Sequence, residues 1–226
     1  MTKRKALSGG IAAALFALLS ASTQAVPTLD LLSGSSNISI FDNGPLDDDP
    51  ALGVISFSGS VGSFTGTFTT GITLPAIGSA TQPQLSLTST DITSDSSGGL
   101  TIIFGEVSAF GPTSGALVSH ITGTNSTDLS TTGGISYTTF TTGSALTAQG
   151  PFTSAFYNDT ARTSAVLSAN SDLFQQVVLN LPANTTSEFN ATLSITPVGS
   201  SVPDTGLSVW MLSSAILVLT IVRRCV

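Results

Sequence analysis

The stretch Phe189-Asn190-Ala191-Thr192-Leu193-Ser194-Ile195 decides the fold of this chain. Its apolar residues occupy every second position, with polar residues between them. Successive side chains of a β-strand point to opposite faces of the sheet, so this pattern puts one apolar row on a buried face and one polar row in water. The stretch therefore predicts a strand that packs one face against a partner layer.

The same alternation recurs along most of the chain, in short segments separated by turn residues. The clearest pairs and triplets are Ile38 and Ile40; Ile55 and Phe57; Leu85 and Leu87; Leu100, Ile102 and Phe104; Leu117 and Ile121; Ile135 and Tyr137; Val177, Leu179 and Leu181. About ten such strands predict an all-β domain, and two facing sheets would bury the apolar rows between them. We expect a β-sandwich, for which a jelly roll is one arrangement.

Three further expectations concern the parts where the alternation fades. A helix is plausible only between Asn158 and Gln176, where Ala161, Ala165 and Leu167 occur. Residues 90–99 and 122–134 read as long loops. A β-solenoid is the competing architecture, but no fixed repeat period runs from Gly53 to Ile195.

The N-terminus has the three parts of a secretory signal peptide, over residues 1–25. Lys3, Arg4 and Lys5 form a basic region, residues 11–19 an apolar region, and the residues up to Ala25 a small-residue cleavage site. We expect signal peptidase to cleave after Ala25. The alternative is an uncleaved N-terminal anchor.

The C-terminus carries an apolar run from Leu207 to Val222, followed by Arg223 and Arg224. As a helix this run is about 24 Å long, which suits a short transmembrane segment with the two arginines as a stop-transfer signal. The positive-inside rule then places Arg223 and Arg224 in the cytoplasm and everything before Leu207 outside. A buried core helix is the alternative.

Directly before this run stands Val202-Pro203-Asp204-Thr205-Gly206. Motif, apolar span and basic end together resemble the C-terminal tail of PEP-CTERM proteins, in the variant with the signature V-P-D-S-G; here Thr205 replaces its Ser. The resemblance implies an exosortase-like processing enzyme that cuts near the motif and passes the protein from the inner membrane to the surface or extracellular matrix of a Gram-negative-type bacterium. A permanently anchored single-span surface protein is the rival interpretation.

The charge of the exported part excludes some partners. Residues 26–202 contain twelve Asp and Glu against one Arg, Arg162, and no Lys. Binding of nucleic acid needs many Lys and Arg to neutralise phosphates, so we exclude it, and an anionic membrane surface for the same reason. The only cysteine, Cys225, lies beyond the apolar run, so no disulfide stabilises the domain.

One polar cluster has the chemistry of a metal site. Asp42, Asn43, Asp47, Asp48 and Asp49 lie in a single turn, and hard cations such as calcium take six to eight oxygen ligands. The turn lacks the ligand spacing of an EF-hand loop. The hypothesis is a calcium site; the alternative is a solvated acidic turn.

Candidate catalytic residues are sparse. His120 is the only histidine, Glu106 and Glu188 are the only glutamates, and no G-x-S-x-G nucleophile motif occurs. A secreted hydrolase would need a Ser-His-Asp triad at His120 or a glutamate pair. We expect His120 to be exposed or hydrogen-bonded for structural reasons.

These observations favour a non-enzymatic exported protein with a structural or adhesive role. The alternative is a calcium-assisted module that binds extracellular polysaccharide, for which Tyr137, Tyr157 and several Phe offer aromatic surface.

Overall fold

A computed structural model describes residues 26–129 and 133–197, and these residues form strands and no helix. The all-β prediction is therefore confirmed for them. The strands are β1 (Pro27–Ser33), β2 (Ser36–Phe41), β3 (Val54–Val61), β4 (Phe64–Ile72), β5 (Gln84–Ser94), β6 (Gly98–Phe110), β7 (Thr113–Asn125), β8 (Gly134–Thr141), β9 (Ser144–Phe152), β10 (Phe156–Leu167), β11 (Ser171–Leu181) and β12 (Thr185–Pro197).

The strands form two antiparallel sheets, an architecture consistent with the expected β-sandwich. Sheet A has the order β2-β1-β6-β11-β8-β9, and sheet B has the order β10-β7-β12-β5-β4-β3. Strands β6, β7, β8, β10, β11 and β12 each lie in the sheet opposite their predecessor. The central strands therefore pair with partners distant in sequence. The jelly-roll arrangement stays a prediction.

The inner faces of the sheets hold the apolar rows that the alternation predicted. Leu100, Ile102 and Phe104 of β6 are fully buried, and Leu193 and Ile195 of β12 are almost so. Full burial of one such side chain stabilises the fold by about 1.5 to 3 kcal/mol, so this shared layer is the main source of stability.

The interior also contains a polar group that the apolar alternation does not reveal. The Tyr137 hydroxyl lies 3.0 Å from Gln175 Oε1 and 3.1 Å from the Thr192 carbonyl oxygen, and these two acceptors share its single proton. Burial raises the pKa of Tyr137, which keeps the hydroxyl protonated as a donor. These bonds tie β8 and β11 of sheet A to β12 of sheet B.

Two expectations about the irregular parts were wrong. The stretch from Asn158 to Gln176 forms β10 and most of β11 rather than a helix, because β10 pairs with β7 along its whole length and β11 lies between β6 and β8. Residues 90–99 form the end of β5, a short turn and the start of β6 rather than a long loop. The expected loop at 122–134 begins later, since β7 continues to Asn125.

The predictions for the two chain ends lie outside the described residues. They comprise the signal peptide up to Ala25 and the sorting signal, with Val202, Pro203, Asp204, Thr205 and Gly206 and the stop-transfer pair Arg223 and Arg224. Within residues 26–129 and 133–197, no helix has the length and apolarity needed to cross a bilayer.

Candidate functional site

The acidic turn between β2 and β3 is organised by Asp47. Its Oδ1 accepts the N–H groups of Asp49 at 3.0 Å and Ser56 at 2.9 Å, and its Oδ2 accepts that of Asn43 at 2.8 Å. Both carboxylate oxygens thus bind the main chain. Hydrogen bonds to a charged group contribute about 1.5 to 3 kcal/mol each, so Asp47 holds the turn in place.

The other acids of the turn also bind main-chain donors. Asp42 Oδ2 accepts Gly53 N–H at 3.0 Å, Asp48 Oδ2 accepts Ser58 N–H at 3.1 Å, and Asp49 Oδ1 accepts Ala51 N–H at 2.8 Å. Asn43 Nδ2 donates to Asp42 Oδ1 at 3.0 Å.

In the described part of the chain, no three His, Cys, Asp or Glu side chains come together as metal ligands would. The five oxygen-bearing side chains are thus placed in one turn, as predicted, but each is engaged within the protein. The calcium site stays a prediction.

A cavity of about 380 Å³ opens beside this turn. It lies where β1, β6 and the turn meet, and its wall is mostly apolar. The lining residues are Val26, Pro27, Asp42, Asn43, Leu52, Leu74, Pro75, Glu106, Ser108 and Ala109. The feature that distinguishes this cavity is Glu106, whose side chain is only 1% exposed.

Glu106 occupies a position that the sheet pattern reserves for an apolar residue. It continues the inner row of Leu100, Ile102 and Phe104, one strand repeat further along β6. Burial raises its pKa from 4.5 to about 7; the hydrogen bond from Thr73 Oγ1 to Oε2, at 3.1 Å, opposes this shift, and the charge of Asp42 adds to it. Glu106 is therefore a carboxyl group poised to change charge near neutral pH.

The structure does not bring the two glutamates together. Glu106 points into the interior from sheet A, whereas Glu188 is exposed on β12 of sheet B. The arrangement of a glycosidase pair, two carboxyl groups flanking one bond, is not formed by these residues.

His120, on the outer side of β7, bonds through Nε2 to Asn158 Oδ1 at 3.0 Å. This hydrogen bond agrees with the expectation that His120 is exposed or hydrogen-bonded for structural reasons.

The outer side of sheet B carries rows of hydroxyl and amide side chains, which we call the hydroxyl face. One row runs across four strands as Thr88, Asn190, Thr122 and Asn158, and the next as Ser86, Thr192, His120 and Thr160. These rows follow from the alternation, because most buried apolar residues of the sheet have an outward polar neighbour. Their alignment across strands follows from the register and was not predictable.

The aromatic surface differs from the expectation. Tyr137 is fully buried and Tyr157 is 7% exposed, so the prediction that they offer a sugar-binding surface was wrong. Both are inward because their rings fill the interior and their hydroxyls find partners there: that of Tyr157 donates to the Glu188 carbonyl at 3.2 Å. Phe156, next to Tyr157, is 79% exposed instead.

Comparison with known proteins gives no family for the chain. No protein-family model matches the sequence, and no curated protein is significantly similar to it.

The role of Asp47 predicts a clear result for substitution. Asp47→Ala should lower the free energy of unfolding by about 2 to 4 kcal/mol, because three main-chain N–H groups lose their acceptor. Asp95→Ala, at an exposed position outside the turn and with an ordinary backbone conformation, is the control and should have little effect. Urea unfolding in millimolar calcium and in chelator measures both. An Asp47→Ala effect that appears only with calcium would contradict this role and favour the calcium site.

Proposed function

We propose that this chain is an exported, non-enzymatic protein of the cell envelope or extracellular matrix with a structural or adhesive role. Its C-terminal residues 202–226 serve as an exosortase-type sorting signal, and the inner membrane holds it only transiently. The observation that carries the proposal is the order of features at that end: the motif Val202 to Gly206, the apolar run to Val222, and Arg223 and Arg224.

The domain has properties that suit such a role. It lies between the signal peptide and the tail, so export delivers it whole to the outside. The hydroxyl face presents mostly hydroxyl and amide groups in rows across strands about 4.8 Å apart, which suits contact with hydrated polymers. We assign adhesion to this face.

The intact mass of the protein from the envelope and medium of its native host tests the proposal. We expect a product that begins at Val26 and ends within residues 202–206, with any added moiety visible as extra mass. Asp204→Ala should retain the tail, whereas Thr205→Ser, which restores the signature that the tail resembles, should be processed. Wild-type protein that keeps its tail through Val226 in the membrane fraction would contradict the proposal and favour permanent anchoring.

A second candidate, binding of extracellular polysaccharide, is favoured by one observation. Phe156 stands exposed beside a shallow depression lined by Thr122, Thr124 and Asn158, so an apolar ring adjoins hydroxyl and amide groups. Sugar rings have apolar faces that stack on aromatic rings and hydroxyls that bond to such groups.

Affinity electrophoresis of the processed protein through polysaccharide from the host's matrix tests this candidate. Phe156→Ala should weaken retardation about threefold to tenfold, as loss of one aromatic contact would. Val166→Ala is the matched control, because Val166 is 80% exposed on the same strand and lies away from the depression. Absence of retardation, or an equal loss in both variants, would exclude binding at Phe156.

A further inference from the structure

The cavity beside the acidic turn joins three features: Val26 and the carboxyl groups of Asp42 and Glu106. Val26 is half exposed. Pro27, the next residue, is the direct partner of Glu106 in the antiparallel pair of β1 and β6. The main-chain N–H of Asp42 donates to the Pro27 carbonyl at 3.2 Å, so all three elements are fixed relative to one another.

No basic side chain of the described residues balances these carboxyl groups. Arg162 and His120 are the only basic ones, and they lie on β10 and β7 of sheet B, whereas Glu106 lies on sheet A. Thr73 supplies Glu106 with a single hydrogen bond. A buried carboxylate is costly unless it is paired and hydrogen-bonded, so a cation at this position would stabilise the ionised form of Glu106.

Removal of residues 1–25 would create a cation beside Glu106. Cleavage after Ala25 turns the nitrogen of Val26 from an uncharged amide into an α-ammonium group. One residue along a strand spans about 3.3 Å, and neighbouring strands lie about 4.8 Å apart. The Val26 nitrogen therefore lies within one residue of the position opposite Glu106, and Val26 itself lines the same cavity.

We propose that the α-ammonium group of Val26 forms an ion pair with Glu106 in the cleaved protein, with Asp42 at the same cavity as a second anion. Signal-peptide removal then completes this end of the sandwich, and full stability is reached only after export. This inference rests on cleavage after Ala25, which is part of the proposed function.

The ion pair reverses the pH dependence of the contribution that Glu106 makes to the stability of the folded state. Without the ammonium group, the pKa of Glu106 is raised from 4.5 to about 7, so the folded state holds the proton more tightly than the unfolded chain. That contribution to stability is complete below pH 4.5 and is lost as the pH rises through about 7. With the ammonium group, the ionised carboxylate is favoured, and stability at neutral pH is retained until the α-amino group loses its proton. Among the described residues, Asp42 and Glu106 are the only ionisable ones in the cavity wall, and Asp42 favours the ammonium form as well.

The sequence offers a selective probe of this group. Lys3 and Lys5 are the only lysines, so after cleavage the Val26 α-amine is the only primary amine of the protein. Reductive methylation with ¹³C-formaldehyde labels it and keeps its positive charge, whereas acetylation removes the charge. Titration of the methyl signal by NMR then reports the pKa of the α-amine in the processed protein.

We expect the pKa of the labelled amine to lie at least one unit higher in the wild type than in Glu106→Gln, a tenfold stronger hold on the proton. Glu106→Gln preserves shape and still accepts the Thr73 hydrogen bond. Acetylation should lower the melting temperature at pH 7 relative to methylation in the wild type, and not in Glu106→Gln. The acetylation arm needs only wild-type protein if the variant fails to fold.

Equal amine pKa values in wild type and Glu106→Gln, or equal melting temperatures of acetylated and methylated wild type, would overturn the ion pair. The intact mass of the same sample separates the two kinds of failure. A first residue other than Val26 contradicts the cleavage step of the proposed function and the pair with it. A Val26 terminus with an unperturbed amine contradicts the pair alone.

Discussion

Two sheets that face each other share a single interior layer, and the described domain depends on how that layer is filled. It contains no cysteine and only one arginine, so neither disulfides nor networks of ion pairs are available to stabilise it. Packing of the inner rows must therefore supply most of the free energy of folding. This demand explains why the apolar residues keep the same phase through β6, β11 and β12, which are bonded to neighbours on both sides. In β5 the phase shifts at a register irregularity, and Ile92 then returns to the buried face after Leu85 and Leu87.

Polar side chains in that layer are the informative exceptions. In the group around Tyr137 and Gln175, the Tyr137 hydroxyl joins the two sheets, while Gln175 Nε2 is buried without a hydrogen-bond partner. Glu106 has one hydrogen bond, a raised pKa and an adjoining cavity. The first group thus links the sheets and leaves one amide nitrogen unpaired, whereas the second adjoins a cavity with room for a partner.

The alternation predicted the central strands because their inner positions are apolar, as in Leu193 and Ile195. The alternation did not predict the strands whose inner positions are polar or whose residues are mostly exposed. The inner positions of β9 include Thr147 and Gln149, which bond to Ser119 across the interior, so no apolar row marks this strand. Strand β10 is an edge strand with few buried residues, and its pairing with β7 rather than its own composition makes it extended.

The candidate site was predictable in composition and not in geometry. The sequence placed five oxygen-bearing side chains in one turn, but the donors that occupy Asp47 depend on the path of the main chain between Asn43 and Ser56. The position of Glu106 was easier to predict from the sequence, because it continues the row of Leu100, Ile102 and Phe104 at the next alternate residue. Its neighbours from β1 and the turn could not be foreseen without the register.

The central claim is that β5 and β12 form the middle of one sheet and β6 and β11 the middle of the other. Hydrogen–deuterium exchange of the exported protein, followed by mass spectrometry, tests it most directly. The account predicts the slowest exchange in these four strands and faster exchange in β2, β3, β9 and β10, whose outer edges lack a strand partner in the same sheet. Protection spread evenly over all the strands, or greatest in those edge strands, would contradict it.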